Sequence, residues 1–393
     1  MFNLPVFVGI DYHTHTIQVC VMDSQRKILA NQSVPNDSHA VFQIVAPFGS
    51  NISAAIEAST GSSAFAEELV SKYQWSVELA HPGYVARMKQ TPDKSDWTDA
   101  KLLADLTRVG YIPRVWLAPP FIRELRDLVR HRHSFVGQRT QVKLRLRALL
   151  RQHRIACPHK PWTIDGKEWL LDENNITSSQ TLYLIRDHYD MIEYLDKKID
   201  AANERMKSVV ADDPLVEQLM QQPGIGFITA VTMRAMIGQF DRFRTGKQLS
   251  HFCGVCPRNN SSAGKTTTGG LIKAGDDLLR QVVIEAAHRL IRYDARWKSL
   301  ATHLLANGKK KCVVVAAVAN RWVRWLFNQM GTPTLSGEAD VRFLRHGQES
   351  ISEEGSSSAE PLQVSTPEVC FLDSVIPCRG ARQQSPSPFT ERV

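Results

Sequence analysis

Four carboxylates in the first hundred residues stand where the sequence predicts strand ends or a helix start. Asp11 and Glu57 each follow a short apolar run, and Asp96 and Asp99 are spaced i and i+3 at the beginning of a helical pattern. Ligands gather at the carboxyl ends of neighbouring strands in α/β sheets, so we expect these side chains to converge. Four converging carboxylates repel unless cations neutralise them, and such oxygen-rich sites suit Mg²⁺ or Mn²⁺. The pattern therefore predicts a metal site able to act on a phosphodiester, although each acid alone could be an ordinary surface or capping residue.

A polar segment at residues 259–275 carries the candidate nucleophile. It contains Ser261 and Ser262, Lys265 and Lys273, and four glycines, and a helix is predicted to follow it. A serine here could attack a phosphodiester if its proton were removed and cations held the phosphate. We expect a flexible loop, for which an inert surface role remains an alternative. The Gly-x-Ser-x-Gly elbow and the P-loop pattern are absent from the sequence, which disfavours hydrolase and NTPase functions.

The sequence Pro223-Gly-Ile-Gly226 lies between two predicted helices. Gly224 and Gly226 would let the backbone approach a phosphate closely, as in helix-hairpin-helix modules, with N–H groups of the next helix as donors. A plain interhelical turn is the alternative interpretation.

Positive charge is concentrated in one segment. Residues 121–154 hold nine arginines and one lysine against two carboxylates, a net charge of +8, which equals that of the whole chain. So basic a helix indicates a polyanion partner, and a solvated helix face is the alternative. The residues that we expect to contact nucleic acid are Arg139, Lys143, Arg145, Arg147, Arg151 and Arg154 here, and Gly224, Gly226, Lys265 and Lys273 beyond.

Composition limits the class of protein. The 393 residues are 43% hydrophobic and 22% charged, which is typical of a globular chain of two or three domains. The seven cysteines follow no disulfide framework, and the Cys253-Gly-Val-Cys256 spacing has no second ligand pair, so zinc is not favoured. No signal peptide or membrane span is predicted, and we expect a soluble cytoplasmic protein with no membrane partner.

The elements that must position these residues divide the chain into four segments. Short strands alternating with helices predict an α/β domain over residues 1–115. Residues 116–212 hold the basic helix and a second helix with the 3-4 apolar spacing of a coiled coil, and the two could pair as an antiparallel hairpin. Residues 213–330 are expected to be mainly helical. Residues 331–393, with five arginines, no lysine and nine acids, are expected to form a disordered acidic tail.

The order of these motifs resembles that of the Piv-like DEDD transposases of bacterial insertion sequences. The resemblance rests on Gly9-Ile-Asp11, Ile56-Glu57, Asp96-x-x-Asp99, Pro223-Gly-Ile-Gly226 and the Ser261-Ser262 segment that continues to Arg280. It covers residues 5 to about 330. Each motif is loose alone, whereas five in the same order are specific.

The resemblance implies a RuvC-like, ribonuclease-H-type domain, a coiled-coil segment and a C-terminal transposase domain. It implies that Asp11, Glu57, Asp96 and Asp99 bind Mg²⁺ and that a serine forms a covalent phosphoserine link to DNA. It further implies a structured non-coding bridge RNA that pairs with target and donor DNA, and a homo-oligomer, a dimer or tetramer, whose active sites combine domains of different protomers.

Two departures from the family pattern bear on these expectations. Ser262-Ala-Gly264 stands where the family has Ser-Gly, and we expect Ser262 to be the nucleophile from its spacing to Gly270, with Ser261 second. Thr14 replaces a lysine that often follows the first aspartate. A RuvC-type nuclease or resolvase that uses water, or an inactive nucleic-acid-binding copy, remains an alternative.

Overall fold

The computed structural model describes residues 5–89, 95–262, 265–272 and 275–331, with the backbone alone for 259–268. The predicted acidic tail beyond Gly331 and the predicted contact residue Lys273 lie outside the described residues. The chain forms two compact units, residues 1–204 and 205–393. Each unit is described by itself below.

The first unit begins with a mixed sheet and its covering helices. The elements are β1 Val6–Tyr12, β2 Thr16–Met22, β3 Ile28–Pro35, α1 Ser38–Val45, β4 Ile52–Glu57, α2 Ser62–Tyr73, β5 Ser76–Ala80, α3 Pro82–Met88, α4 Asp96–Arg108 and β6 Arg114–Val115. The strand order is β3-β2-β1-β4-β5-β6, with β1, β4 and β5 mutually parallel and β2, β3 and β6 antiparallel to their neighbours. The α/β prediction for this region is confirmed at the level of a mixed sheet with helices.

The central strands are apolar because both faces of the sheet are covered. β1 and β4 read Val-Phe-Val-Gly-Ile and Ile-Ser-Ala-Ala-Ile before their acidic ends, and most of these side chains are fully buried. Near-continuous apolar runs of this kind are typical of strands buried on both faces. One face packs under α1 and α2, and α4 lies on β1 and β2 from the other side.

Two long helices and a short one between them follow the sheet. The elements are α5 Pro120–Gln152, α6 Ile164–Leu171 and α7 Ser179–Val209. Arg132 of α5 contacts Asn203 of α7, and Arg139 pairs with Asp196, so residue numbers rise along one helix as they fall along the other. The helices therefore lie antiparallel, and their shared apolar seam includes Leu146 and Ile192.

The second unit is mainly helical. Its elements are α8 Pro214–Met220, α9 Phe227–Ile237, α10 Gly246–Phe252, β7 Pro257–Ser262, β8 Lys265–Leu271, α11 Asp277–Tyr293, α12 Ala295–Ala306 and α13 Lys311–Met330. α13 packs against α10, α11 and α12, and its Trp322 is fully buried. In the part of the chain that the structure describes, no helix is both long and apolar enough to cross a membrane.

The loop prediction for residues 259–275 is wrong for most of the segment. β7 and β8 pair as an antiparallel hairpin with Ser262 opposite Lys265 and Ser261 opposite Thr266. Between Pro257 and Leu271 at their outer ends the strands carry only polar residues and glycine, so the apolar alternation that marks a half-buried strand is missing from the sequence. The backbone hydrogen bonds of the hairpin, rather than a hydrophobic face, account for its structure.

Candidate metal centre and nucleic-acid surfaces

The sheet places Asp11 and Glu57 beside each other. β1 and β4 are parallel, and the register pairs Ile10 with Ile56, so each acid is the next residue on its own strand. Asp11 is buried and Glu57 is half-buried. Parallel pairing therefore brings these two predicted carboxylates to the same edge of the sheet.

A chain of hydrogen bonds fixes the start of α4 against the sheet. The Gln18 amide donates to Asn31 Oδ1 at 2.7 Å, and the Asn31 amide donates to the carbonyl oxygen of Trp97 at 3.1 Å. Gln18 is directly opposite Asp11 in the β1–β2 ladder. The first turn of α4, which carries Asp96 and Asp99, is thereby attached to the strands next to Asp11.

His13 joins the carboxylates. Its Nε2 lies 3.3 Å from Asp11 Oδ2 and 3.6 Å from Asp96 Oδ1, and the three ligand atoms lie within 4.8 Å of one another. The Asn36 amide donates to the carbonyl oxygen of His13 at 3.0 Å and so holds the turn between β1 and β2. The sequence analysis did not identify His13, which lies just beyond the end of β1 in the turn to β2.

The electrostatic environment of Asp11 favours a cation. Burial raises the pKa of the Asp11 carboxyl above its ordinary value, and the negative charges of Asp96 and Asp99 raise it further, while contact with His13 lowers it. The net direction is upward, so the site disfavours an uncompensated carboxylate. A divalent cation removes this cost directly.

Asp99 and Glu57 have different surroundings. Asp99 Oδ2 accepts a hydrogen bond from Lys89 Nζ at 2.7 Å, and its side chain is 8% exposed. Within the described residues, the three-ligand group consists of Asp11, His13 and Asp96 and includes neither Asp99 nor Glu57. The structure thus brings all four predicted acids to one region, with three protein ligands already close together.

The donor set fits a divalent cation. Two carboxylate oxygens and one imidazole nitrogen, 3.3 and 3.6 Å apart, can bind one ion with water completing its shell. Carboxylates suit Mg²⁺ and Mn²⁺, and an imidazole nitrogen is a ligand more often found with transition metals. The macrodipole of α4 adds a second reason for the acidic first turn, because carboxylates are stabilised at a helix N-terminus.

The basic residues of α5 divide between its sides. Lys143, Arg147 and Arg151 are spaced by four residues and form one stripe, which we call the basic flank. The ring of Trp162 lies beneath two of them, 5.1 Å from Lys143 Nζ and 5.4 Å from the Arg147 guanidinium carbon. Cation–π contacts of this length hold the two cations in place, while Arg147 and Arg151 are exposed.

The other predicted contact residues of this region lie elsewhere. Arg139 donates to Asp196 of α7 and is half-buried, so part of its charge is already neutralised. Arg145 is exposed and lies on the opposite side of α5 from Lys143 and Arg147, since two residues turn the helix by about 200°. Arg154 follows the helix with φ +54°, a left-handed conformation, and is exposed.

The turn at 223–226 has one glycine fixed by packing and one that is open. Gly224 has φ +81°, and a Cβ there would lie 2.8 Å from Leu290 Cγ. Its carbonyl oxygen accepts from Arg289 Nε at 3.1 Å. Gly226 caps α9 with φ −98°, and a Cβ there would have no neighbour within 4 Å among the described atoms. The open space at Gly226 is compatible with close approach of a ligand to the backbone.

The hairpin that carries Ser261 and Ser262 is attached at its base. Asn320 of α13 donates to the carbonyl oxygen of Val255 and to Cys256 Sγ, each at 3.3 Å, and Ser250 Oγ lies 3.2 Å from the same sulfur. Ile272 N–H donates to the Cys256 carbonyl at 2.8 Å, which closes the hairpin. Side chains of the predicted residues Ser262 and Lys265 lie outside the described atoms.

Comparison with known protein families accounts for both units. A model of DEDD transposases of the IS110 type, described as "Transposase", matches residues 8–155, which include all four acids and the basic flank. A second, described as "Transposase IS116/IS110/IS902 family", matches residues 216–302, which include the 223–226 turn and the serine hairpin. Together the two models cover more than half of the chain.

Individual relatives agree with the family models. The transposase for insertion sequence element IS1328 of Yersinia enterocolitica is 26% identical over 67% of this chain and 80% of its own length. The transposase for IS1111A of Coxiella burnetii is 22% identical over 81% of this chain and 88% of its own length. A probable family 20 transposase of Pseudomonas aeruginosa is 25% identical over 67% and 82% of the two chains.

The matched regions identify an enzyme that cuts and joins DNA, a transposase. The cluster of carboxylates at the edge of the mixed sheet and the basic helix both lie within them. The chain belongs to the IS110 family of DEDD transposases.

Proposed function

We propose that this transposase cleaves and rejoins the DNA of an insertion sequence through a serine–DNA phosphodiester. The observation that supports the proposal most directly is the cluster of Asp11, His13 and Asp96 at the edge of the sheet, beside Glu57 and Asp99. The mixed sheet that places these acids supports a RuvC-like, ribonuclease-H-type domain.

The role of the carboxylates is to bind a cation that would hold the scissile phosphate. Asp11, Glu57, Asp96 and Asp99, with His13, form the proposed binding site of Mg²⁺ or Mn²⁺. When bound, such a cation supplies positive charge for the non-bridging oxygens and for the departing deoxyribose oxygen. The hydrogen bond from Asn31 to α4 and the close packing of Gly9 against α4 keep the acids of α4 near Asp11.

Ser262 is the proposed nucleophile. Its Oγ loses a proton and forms a bond to phosphorus, the phosphorus–deoxyribose oxygen bond breaks, and the leaving oxygen takes up a proton. One phosphodiester is exchanged for another, so rejoining needs no external energy source. The anchored base of the hairpin, at Asn320 and Cys256, supports a fixed position for the strand that carries this serine.

Two surfaces are proposed to bind nucleic acid. The basic flank, together with Arg145 and Arg154, binds phosphates of a structured non-coding bridge RNA or of DNA, and Arg139 contributes less because it is paired with Asp196. In the second unit, Gly224 and Gly226 at the 223–226 turn, with Lys265 and Lys273 near the hairpin, bind the DNA backbone. We further propose that the active form is a homo-oligomer, a dimer or tetramer, because the resemblance to the family implies it.

Strand cleavage with single-serine variants tests the proposal. The substrate is DNA that spans the element's own boundary, with the transcript of the neighbouring non-coding region added. Wild type and Ser261→Ala are expected to leave a covalent protein–DNA adduct on denaturing electrophoresis, whereas Ser262→Ala gives neither adduct nor cleavage and still binds DNA. An adduct formed by Ser262→Ala and lost in Ser261→Ala would move the nucleophile to Ser261.

A RuvC-type nuclease that uses water is the second candidate. The cluster of Asp11, His13 and Asp96 lies wholly within residues 1–204, so metal-assisted attack by water needs no group from the second unit. Metal-dependent cleavage without an adduct, unchanged in both serine variants, would favour this alternative. Binding without cleavage by the wild type would favour an inactive copy.

A further inference from the structure

Lys89 already supplies one positive charge to the carboxylates. It follows α3, and its ammonium donates to Asp99 Oδ2 at 2.7 Å. The Lys89 side chain is 24% exposed and that of Asp99 is 8% exposed, so the pair is largely removed from solvent. Charge-assisted hydrogen bonds of this length are among the stronger polar contacts in proteins.

The ion pair and the ligand cluster occupy different parts of the acidic region. Asp11, His13 and Asp96 have their ligand atoms within 4.8 Å of one another, and Asp99 contacts Lys89 instead. A two-metal centre places its ions about 3.5–4 Å apart and shares carboxylates between them. A second ion near Asp99 would have to displace the ammonium or lie against it. Displacement loses the charge-assisted hydrogen bond to Asp99, and close contact is opposed by repulsion between the two cations.

We propose that Lys89 takes the place of a second metal ion, so that the carboxylate centre binds one divalent cation per chain. The inference rests on the proposed metal site and adds its stoichiometry. Within the proposed site, Asp11, His13 and Asp96 supply the direct ligands of the ion, and the charge of the buried Asp99 is compensated by its ion pair with Lys89.

Mn²⁺ binding to the purified full-length chain tests the inference without any need for activity. The free Mn²⁺ signal in electron paramagnetic resonance is titrated for the wild type, Lys89→Met, Asp11→Asn and the double variant Lys89→Met/Asp99→Asn. The wild type is expected to bind one ion and Asp11→Asn none at this site. Lys89→Met is expected to bind two, because Asp99 loses its ammonium, and the double variant returns to one.

A matched control separates the loss of this ammonium from the loss of any lysine charge. Lys72 pairs with Glu68 on α2, an i, i+4 ion pair on the surface, so Lys72→Met should still bind one ion. Circular dichroism melts confirm that each variant is folded before titration. If Lys89→Met is unfolded, Lys89→Gln, which keeps a hydrogen-bond donor, is titrated with the same expectation of two ions.

The possible outcomes distinguish the two proposals. One ion in the wild type that is lost in Asp11→Asn supports the metal site itself. One ion in both the wild type and a folded Lys89 variant overturns the role of Lys89 alone, as do two ions in the wild type. No bound Mn²⁺ in the wild type overturns the proposed metal site and, with it, this inference.

Discussion

Gly9 lies directly against the backbone of Ala100. A Cβ built on Gly9 would stand 1.9 Å from the Ala100 carbonyl oxygen and 2.3 Å from the backbone nitrogen of Ala104. Such distances are far inside van der Waals contact, so only glycine permits α4 to lie this close to β1. Asp99 precedes Ala100, and Asp11 follows Gly9 by two residues. The missing side chain therefore controls how near the acids of α4 come to the acid of β1.

Gly9→Ala should destabilise the first unit and separate its carboxylates. Because the clash is with backbone, α4 must move away, and we expect the free energy of unfolding to fall by about 3 kcal/mol or more. Gly137→Ala on α5 is the control, since a Cβ there meets nothing within 4 Å among the described atoms. That variant should gain about 0.4–1 kcal/mol. Urea unfolding measures both, and equal stabilities would contradict the close packing.

Asp11→Asn should stabilise the metal-free chain at neutral pH. The folded-state pKa of Asp11 is raised above 3.8, so the folded state holds this proton more tightly than the unfolded state. The protonated carboxyl therefore contributes stability that is present in full below about pH 3.8. This contribution is lost as the pH rises through the folded-state pKa and the carboxyl ionises. At pH 7 the amide avoids this cost, and the Tm of the variant should exceed that of the wild type in EDTA.

Calorimetric scans between pH 3 and pH 8 check this prediction. The difference in Tm should shrink on acidification, and Mn²⁺ should raise the Tm of the wild type but not of Asp11→Asn. Asp190→Asn, which changes an exposed carboxylate of α7, is the control and should show neither effect. A lower Tm for Asp11→Asn throughout this range would show that His13 outweighs burial and the neighbouring acids.

The sequence predicts the central strands well because burial on both faces leaves a simple apolar run. β1 and β4 are such strands, and the acids at their ends follow directly. β3 was not predicted, since its sequence Ile-Leu-Ala-Asn-Gln-Ser-Val-Pro is only partly buried and follows no clear alternation. Its Asn31 nevertheless fixes the start of α4. Residues that position a site through single hydrogen bonds leave no periodic signal in a sequence.

Contacts between residues far apart in the chain are the second feature that the sequence does not predict. His13 and Lys89 are ordinary polar residues when read alone, and only the fold brings them to Asp11, Asp96 and Asp99. For the same reason, counting charges on α5 treats its cations as equal. The structure distinguishes Arg139, which pairs with Asp196, from the basic flank, which Trp162 holds.

Neutralising the basic flank should weaken nucleic-acid binding mainly through salt dependence. Lys143→Gln/Arg147→Gln/Arg151→Gln removes three cations, and each phosphate contact contributes about 0.7–0.9 to the log–log salt slope. We expect the slope to flatten by about 2 units for the transcript of the neighbouring non-coding region, the proposed RNA partner. Filter binding from 50 to 300 mM KCl measures it.

Two single variants test why the flank is effective. Arg139→Gln should alter the slope little, because that guanidinium is already paired with Asp196. Trp162→Ala keeps every charge but removes the ring beneath Lys143 and Arg147, so it should weaken binding at each salt concentration with a smaller change in slope. A triple variant with the slope of the wild type would show that the flank is only solvated.

The two glycines of the 223–226 turn should differ in how much stability is lost on substitution by alanine. At Gly224, φ is +81° and a Cβ would lie 2.8 Å from Leu290 Cγ, so Gly224→Ala should cost about 2 kcal/mol or more of stability. At Gly226, φ is −98° and the space is open, so Gly226→Ala should cost less than about 1 kcal/mol.

If the backbone of this turn approaches a DNA phosphate, the new methyl group of Gly226→Ala should lower DNA affinity about tenfold while the fold is kept. Thermal melts and fluorescence anisotropy with boundary DNA separate the two effects, and a stable Gly226→Ala with wild-type affinity would reduce the turn to a connection between α8 and α9.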